Sequence, residues 1–489
     1  MESITSSPAR PKHAHLVGIG GINMSAVAKL LKRAGIGVSG SDAKKSELTD
    51  EVEAMGIPVA IGQDKMHVPP ECDLLIYSSA VPATNPERME AARRGIREMT
   101  NFRFLGEWYA ASRVLLVTGT HGKSTTTAML GHMLEGTHQD PTVIVGSRVP
   151  GYPLGNVRFS AEGAVPAGRQ GSVSGGGDNN LVVIEGDEYA KHFLEFEPYG
   201  LIINNIELDH TDVFPDLDAL LAAFSALLAR VQAGGVVIAN ADDARVSTLI
   251  GRERTELESR GIRIRTFGFG SHADCRVEDL QVKDERLTFA YRDASLRPIR
   301  VELPVPGRMN ALNAAAALTL ASSLGIPSTE AVRTLESYRG IWRRFEIASD
   351  RDDVIVVSDY AHHPTAVAMT LDAARSFYPG RRLLVCFQPH HRRRTRDLFD
   401  DFIPAFDKAD HLALCEIYDV AGREEGDRIS SRDLQEAIIR HDGDRGVQRS
   451  VEYASDPEEA LTILKRWKRP GDIILVMGAG DIYSIAKKV

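Results

Sequence analysis

The stretch TGTHGKSTTT, Thr118 to Thr127, holds residue types that bind phosphate. It follows the apolar run RVLLV and opens a helical pattern, so it reads as strand, glycine loop and helix. Backbone amides of such a turn, and of the helix it opens, cradle phosphate oxygens. In that reading Gly119, Thr120, His121, Gly122 and Thr125 line an ATP-binding cradle. Lys123 reaches the β- and γ-phosphates, and the Ser124 hydroxyl ligates Mg2+. The loop is shorter than the usual G-x-x-x-x-G-K-[ST], because Val117 stands six positions before Lys123.

Two later stretches supply ligands for a hard cation. VIEGDEY ends an apolar run with Glu185, Asp187 and Glu188, and NNIELDHTD ends another with Asp209 and His210. Mg2+ takes one or two protein ligands and completes its shell with phosphates and waters. Ser124, Glu185 and His210 therefore suit metal ions at an ATP γ-phosphate. Helix capping explains any one of these residues alone, but not their convergence with a phosphate loop. A third stretch, CFQPHHRRRTRDLF, packs two histidines and four arginines between His390 and Arg396. It could be a solvated helix end, a nucleic-acid patch or the anion-reading part of an enzyme site.

The elements that must position these residues form a repeating β-α rhythm. HLVGIGG is a strand entering a glycine turn, MSAVAKLLKRAG the helix after it, and IGVSGSD and CDLLIYSS further strands. RVLLVTGTHGKS opens a second unit, which continues through NLVVIEGDE, YGLIINNIELDH and GGVVIANADD. DVIVVSDYAHHPT, RRLLVCFQPH, HLALCEIYD and DIILVMGAGD make a third. The expected fold is α/β in three domains: a Rossmann-like domain over 1–112, a central P-loop-type mononucleotide-binding α/β domain over 113–327, and a Rossmann-like α/β domain over 328–489. In open α/β sheets ligands bind beyond the carboxyl ends of strands, where nearly every unusual motif here lies. The glycine-rich stretch between 155 and 180 reads as a long surface loop.

Composition narrows the function. The chain has 489 residues, 43% hydrophobic and 26% charged, with a formal net charge of -9. That balance argues against a nucleic-acid binder. Cys72, Cys275, Cys386 and Cys415 are far apart beside apolar neighbours and read as buried reduced thiols. No secretory core and no apolar run long enough to span a membrane is present, so a cytoplasmic protein with no membrane or nucleic-acid partner is expected.

Taken together, GTHGKST, EGDEY, NNIELDH, GRMNALNAAAA, RRFE and DYAHHPT resemble the Mur ligases, in that family's order and over nearly the whole chain. GIGGINMSAVA, SGSD, SSAVPATNPE, FQPH…RT and VMGAGDIYSIA resemble the branch that joins L-alanine to UDP-N-acetylmuramate. The resemblance implies an ATP- and Mg2+-dependent ligase of peptidoglycan precursor synthesis, working through an acyl phosphate. Its implied substrate contacts are Gly20, Gly21, Asn23, Met24, Ser25, Asp42, Ser78 and Ser79 for the UDP-sugar. Arg344, Tyr360, His363, His390 and Arg394 follow for the remaining substrate groups, and Asn310, Arg343 and Asp359 for the nucleotide. Lys123, Glu185, His210, His390 and Arg394 would carry the chemistry. Arg393 and Arg396 themselves read as solvated helix charges. The chain departs from the family at Met309, usually histidine, at Arg392, usually tyrosine, and at His391, often arginine.

Other readings predict different behaviour. A ligase that attaches a ready-made murein tripeptide would ignore alanine, and a folate polyglutamate ligase would lack the first 110 residues. An NAD-linked oxidoreductase would use the GIGGIN turn and Asp42 but leave Lys123 without a role. A regulatory ATP-binding module would release no phosphate in response to an amino acid.

Overall fold

The computed structural model describes residues 10–161, 180–209, 213–293, 297–418 and 429–489. Three sheets organise them. The first has all-parallel strands in the spatial order Val59–Ile61, Gly37–Asp42, His13–Val17, Leu74–Tyr77, Arg97–Thr100. Its order reverses beside His13–Val17, and there the chain passes through Gly18 (φ +84°) into the helix Ile22–Arg33. The inner strand Leu74–Tyr77 is apolar and mostly buried, while the edge strands Val59–Ile61 and Arg97–Thr100 are part exposed.

The middle sheet is ten-stranded and mixed. At its centre Arg113–Thr118 runs parallel between Gly200–Ile203 and Leu181–Glu185. Antiparallel strands close the ends, Arg286–Asp293 and Ile299–Leu303 on one side and Val157–Arg158 on the other. The helices Lys123–Gly136 and Arg308–Ser323 pack together on one face, and the run of small residues Ala314 to Ala317 lies fully buried between them. The third sheet is six-stranded, parallel except for its edge strand Glu346–Arg351.

The α/β class and three-sheet plan agree with expectation. One helix lies elsewhere than the expected division suggests. Ser328–Leu335, assigned by sequence to the third unit, buries Val332 and Leu335 against the middle core, and Thr334 O accepts a 2.8 Å bond from His132 Nε2. The reason is its register, which puts the apolar stripe of STEAVRTL toward the helix Lys123–Gly136. All four cysteines are buried free thiols. Among the described residues no helix is long and apolar enough to cross a membrane. Residues 162–179, most of the expected long loop, lie outside the described residues.

Side-chain ties hold the sheets to one another. Lys29, 2% exposed, donates to Leu154 O and Asn156 Oδ1, both at 2.8 Å, and so joins the first body to the second. Arg148 bridges back to Glu47 and Glu51 at 2.9 and 2.7 Å. Ser147 Oγ donates to Trp342 O (2.7 Å) and Trp342 N to Arg148 O (2.9 Å), tying the second body to the start of the third.

Candidate active site

The phosphate loop turns between the strand Arg113–Thr118 and the helix Lys123–Gly136, and two of its glycines are required by geometry. Gly122 has φ +82°, and a Cβ there would stand 2.5 Å from Asn313 Oδ1. Gly119 has φ +128°, with a Cβ position 3.0 Å from the Asn205 backbone. Neighbouring strand ends complete the loop's surroundings. Because Val117 is in register with Glu185, and Thr118 with Ile203, the acids of VIEGDEY and the asparagines of NNIELDH arrive on either side of the loop.

Lys123 Nζ reaches Glu188 Oε2 at 2.8 Å and Oε1 at 3.0 Å, and donates to Gly119 O at 2.8 Å. Burial alone would lower the Lys123 ammonium, but the carboxylates of Glu188, Asp187 and Glu185 outweigh it and raise the pKa. Ser124 Oγ donates to Glu185 Oε1 at 2.9 Å, and Gly146 N donates to Glu185 Oε2 at 2.7 Å. A hydroxyl and a carboxylate thus already share one spot beside the loop, an all-oxygen donor pair that fits Mg2+. His210, the third expected ligand, lies outside the described residues.

His121 donates through Nε2 to Glu207 Oε2 (2.8 Å), and its backbone N donates to Asn205 Oδ1 (2.7 Å). Glu207 also accepts from Thr365 Oγ1 of the third body at 2.8 Å. Burial would raise this carboxyl, but the bond from His121 and the nearness of His363 hold it at about 2. Asn310 Nδ2 donates to Pro306 O (2.6 Å) and its Oδ1 accepts from Asn313 (3.0 Å), so the asparagine pair braces the loop from behind. Thr120 Oγ1 donates to Glu207 O at 2.9 Å, while Thr125 sits in the helix's first turn.

From the opposite side the third body presents DYAHHPT and the arginine run. Arg394, 9% exposed, donates through Nε to Asp209 Oδ1 at 2.9 Å, with a second guanidinium nitrogen at 2.8 Å. His390 stacks on Tyr418, centroids 5.6 Å apart, and faces His362. Burial, together with the Arg394 charge, holds His362 well below the usual imidazole range. Arg393 and Arg396 are half exposed and pair with Asp397, as solvated helix charges should. Arg392 contacts Ile429 O and Glu416.

Several expected contacts have different surroundings. Arg343, read as a nucleotide contact, is 5% exposed and donates to Gly478 O and Gly480 O inside the third body, ringed by Trp342, Tyr360 and Tyr483. It is a buried brace there, placed by a left-handed backbone (φ +55°). Asp359 accepts from Phe345 N and Ala361 N, both at 2.7 Å, fixing the turn into DYAHHPT. Asp42 Oδ2 accepts from Gly20 N at 2.8 Å, so its carboxylate holds the first glycine turn closed. Met24 and Ser25 point into the core of the first body, and Ser25 Oγ donates to Ile22 O. His363 is the N-cap of the helix Pro364–Phe377 and accepts from Thr365 N.

The structure brings Asn23, Lys123, Ser124, Glu185, Asn310, Arg344, Tyr360, His363, His390 and Arg394 to one cleft of about 800 Å3. Gly20, Gly21, Ser78 and Ser79 lie outside its lining, at the strand ends of the first body. Glu207, Asn205 and Thr365 were not assigned roles from sequence, and Glu188 was read as a cation-ligand candidate and not as the partner of Lys123. Their one local signal was that three of them sit in polar strand ends flanking the loop.

A phosphate loop at the carboxyl edge of a parallel sheet, facing a second α/β body across a cleft of carboxylates, imidazoles and a buried guanidinium, defines a phosphate-transferring α/β enzyme of three bodies. Residues 13–113 match the Mur ligase family catalytic domain, 117–321 the Mur ligase middle domain, and 343–480 the Mur ligase glutamate ligase domain. The chain belongs to the Mur ligase family. It is 33% identical over 478 residues, 97% of both chains, to the UDP-N-acetylmuramate--L-alanine ligase of Clostridium botulinum strain Langeland. A protein of the same name from Persephonella marina is also 33% identical over 478 residues, 98% of this chain and 96% of its own. The crystal structure of a UDP-N-acetylmuramate-alanine ligase from Thermotoga maritima superposes with a TM-score of 0.80 at 26% identity, covering 97% of each chain. A murein peptide ligase from Psychrobacter arcticus shares the fold, with a TM-score of 0.71 at 24% identity over 98% of each chain.

Proposed function

We propose that the chain is an ATP-dependent ligase that joins L-alanine to UDP-N-acetylmuramate and releases ADP and phosphate. The observation that carries this reading is the 33% identity, across 97% of both chains, to a protein named for that reaction. The geometry supplies the parts. The first body takes the UDP end of the sugar nucleotide at its glycine turn, near Gly20, Gly21 and Asn23. The middle body takes ATP at Gly119 to Thr125, and the third body takes the amino acid at His390 and Arg394. The buried thiols suit a reducing cytoplasm.

Lys123 exchanges Glu188 for the phosphates of ATP and stabilises the moving γ-phosphoryl group. Ser124 and Glu185, with His210, would hold Mg2+, which when bound neutralises charge on that group. The muramyl carboxylate takes the γ-phosphoryl, giving an acyl phosphate and ADP. The alanine amine attacks the acyl carbon, and the tetrahedral adduct collapses to the amide and phosphate. Arg394 offers a guanidinium fork to the alanine carboxylate. His362, kept neutral, adds no positive charge beside the incoming amine.

Phosphate release measured with ATP, Mg2+ and UDP-N-acetylmuramate tests the reading, with alanine, glycine, serine or the tripeptide L-Ala-D-Glu-meso-diaminopimelate supplied in turn. Alanine-dependent release is expected. Release with the tripeptide alone would make this a recycling ligase, and no release with any acceptor would sink the ligase reading.

A further inference from the structure

The middle and third bodies meet at three side chains with metal-ligating atoms. His121 stands in the phosphate loop, Glu207 follows the strand Gly200–Ile203, and His363 caps the helix Pro364–Phe377. His121 Nε2 is 2.8 Å from Glu207 Oε2, and His363 Nδ1 is 4.0 Å from the same oxygen. One ligand atom from each residue lies within 4.8 Å of the others. His363 is 3% exposed, and its Nε2 is buried with no hydrogen-bond partner among the described residues. Its Nδ1, the nitrogen 4.0 Å from Glu207, is unprotonated and accepts only a long, 3.3 Å bond from Thr365 N, which a cation bound at that lone pair would replace, the ring proton staying on Nε2.

Phosphate recognition asks for N–H donors and positive charge, and Mg2+ asks for oxygen. A carboxylate on this spot repels phosphate, and two imidazole nitrogens beside a single carboxylate do not make the oxygen-rich shell of Mg2+. They match cations of borderline softness, which bind nitrogen and carboxylate ligands in four-coordinate sites. We propose that His121, Glu207 and His363 form a seat for one Zn2+-class cation per chain, bridging the middle and third bodies and separate from the Ser124–Glu185 seat for Mg2+. His121 moves its proton from Nε2 to Nδ1 and presents the Nε2 lone pair. Glu207 turns Oε2 to the cation, while Thr365 Oγ1 keeps its 2.8 Å bond to Oε1 and orients the carboxylate. The fourth position is left to water.

Cobalt tests the assignment, because four-coordinate Co2+ absorbs visible light strongly and six-coordinate oxygen-rich Co2+ only weakly. The full-length, nucleotide-free chain is titrated with Co2+ in Mg2+-free buffer. One saturable four-coordinate band per chain is expected, unchanged in Glu185→Gln. In His363→Asn and in Glu207→Gln the affinity should fall at least about tenfold. Circular dichroism checks each variant's fold, and either folded variant suffices. A wild-type chain without the band, or a folded variant that keeps it at full affinity, overturns the proposal. The readout is a spectrum of the chain without substrates, so its failure is distinct from failure of the ligase reading.

Discussion

Lys123 is held by its own loop and by Glu188, and that pairing sets what its loss should do. Glu188 is 2% exposed, so Lys123→Met strands a buried carboxylate. Breaking a buried pair from one side costs about 3–5 kcal/mol, and removing a charge stabiliser of the transition state costs about 10²–10³ in kcat. Lys123→Met should therefore lose both melting temperature and turnover. Adding Glu188→Gln should restore much of the stability and none of the turnover; a double variant with recovered kcat would remove Lys123 from the chemistry. Lys123, Ser124 and Glu185 were legible in the sequence because strand, loop and acid lie within short, strongly patterned segments. Glu207 was not, and Glu188 was legible only as a cation-ligand candidate and not as the partner of Lys123, because partners are chosen by strand order, and strand order is not written in local periodicity. Arg343 was misread for a related reason: the motif RRFE shows two arginines, but only the packed third body shows that one of them faces Gly478 and Gly480.

At the scale of elements, the phosphate loop depends on a left-handed glycine pressed against the helix Arg308–Ser323. Gly122→Ala adds about 1–3 kcal/mol of backbone strain and drives a methyl to 2.5 Å from Asn313 Oδ1. The expected result is a higher KM for ATP and a lower melting temperature; Asn313→Ala in the same chain should relieve part of the clash. Away from the cleft, the first body is pinned by Glu87, fully buried in the helix Pro86–Arg94. It accepts from Ser41 Oγ at 2.6 Å and contacts His15 Nε2 at 2.9 Å and His67 Nδ1 at 3.3 Å. Burial would raise this carboxyl, but those hydrogen bonds together bring it below the ordinary 4.5. A depressed carboxyl stabilises the fold above the unfolded pKa, and the contribution disappears as pH falls below it. Denaturant midpoints should therefore drop as the pH is taken below 4.5, and this part of the drop should vanish in Glu87→Gln. An unchanged acid limb in Glu87→Gln would move the effect to other carboxylates.

Across the whole molecule, the cleft is bridged by Thr365 on Glu207 and by Arg394 on Asp209, both joining the middle and third bodies. The Arg394 pair is the stronger tie, since both side chains are about nine-tenths buried and truncating one partner of such a pair costs about 2–5 kcal/mol. The same guanidinium is the proposed anchor for the amino-acid carboxylate, so Asp209 and alanine compete for one fork. The two variants of the pair should therefore separate. Arg394→Ala loses both the bridge and the anchor: the radius of gyration should rise in small-angle scattering, and the alanine KM should rise at least about tenfold. Asp209→Asn weakens the bridge and leaves the anchor, so scattering should again show expansion of the free chain while the alanine KM stays the same or falls. Domain closure on substrate is a separate expectation of the three-body layout: UDP-N-acetylmuramate and an ATP analogue should compact the wild-type chain in scattering, and an unchanged profile would count against closure. Wild-type kinetics in Arg394→Ala would leave Arg394 a bridge between the bodies with no part in amino-acid binding. An alanine KM raised equally in both variants would mean that Asp209 orients the guanidinium for the amino acid and does not compete with it.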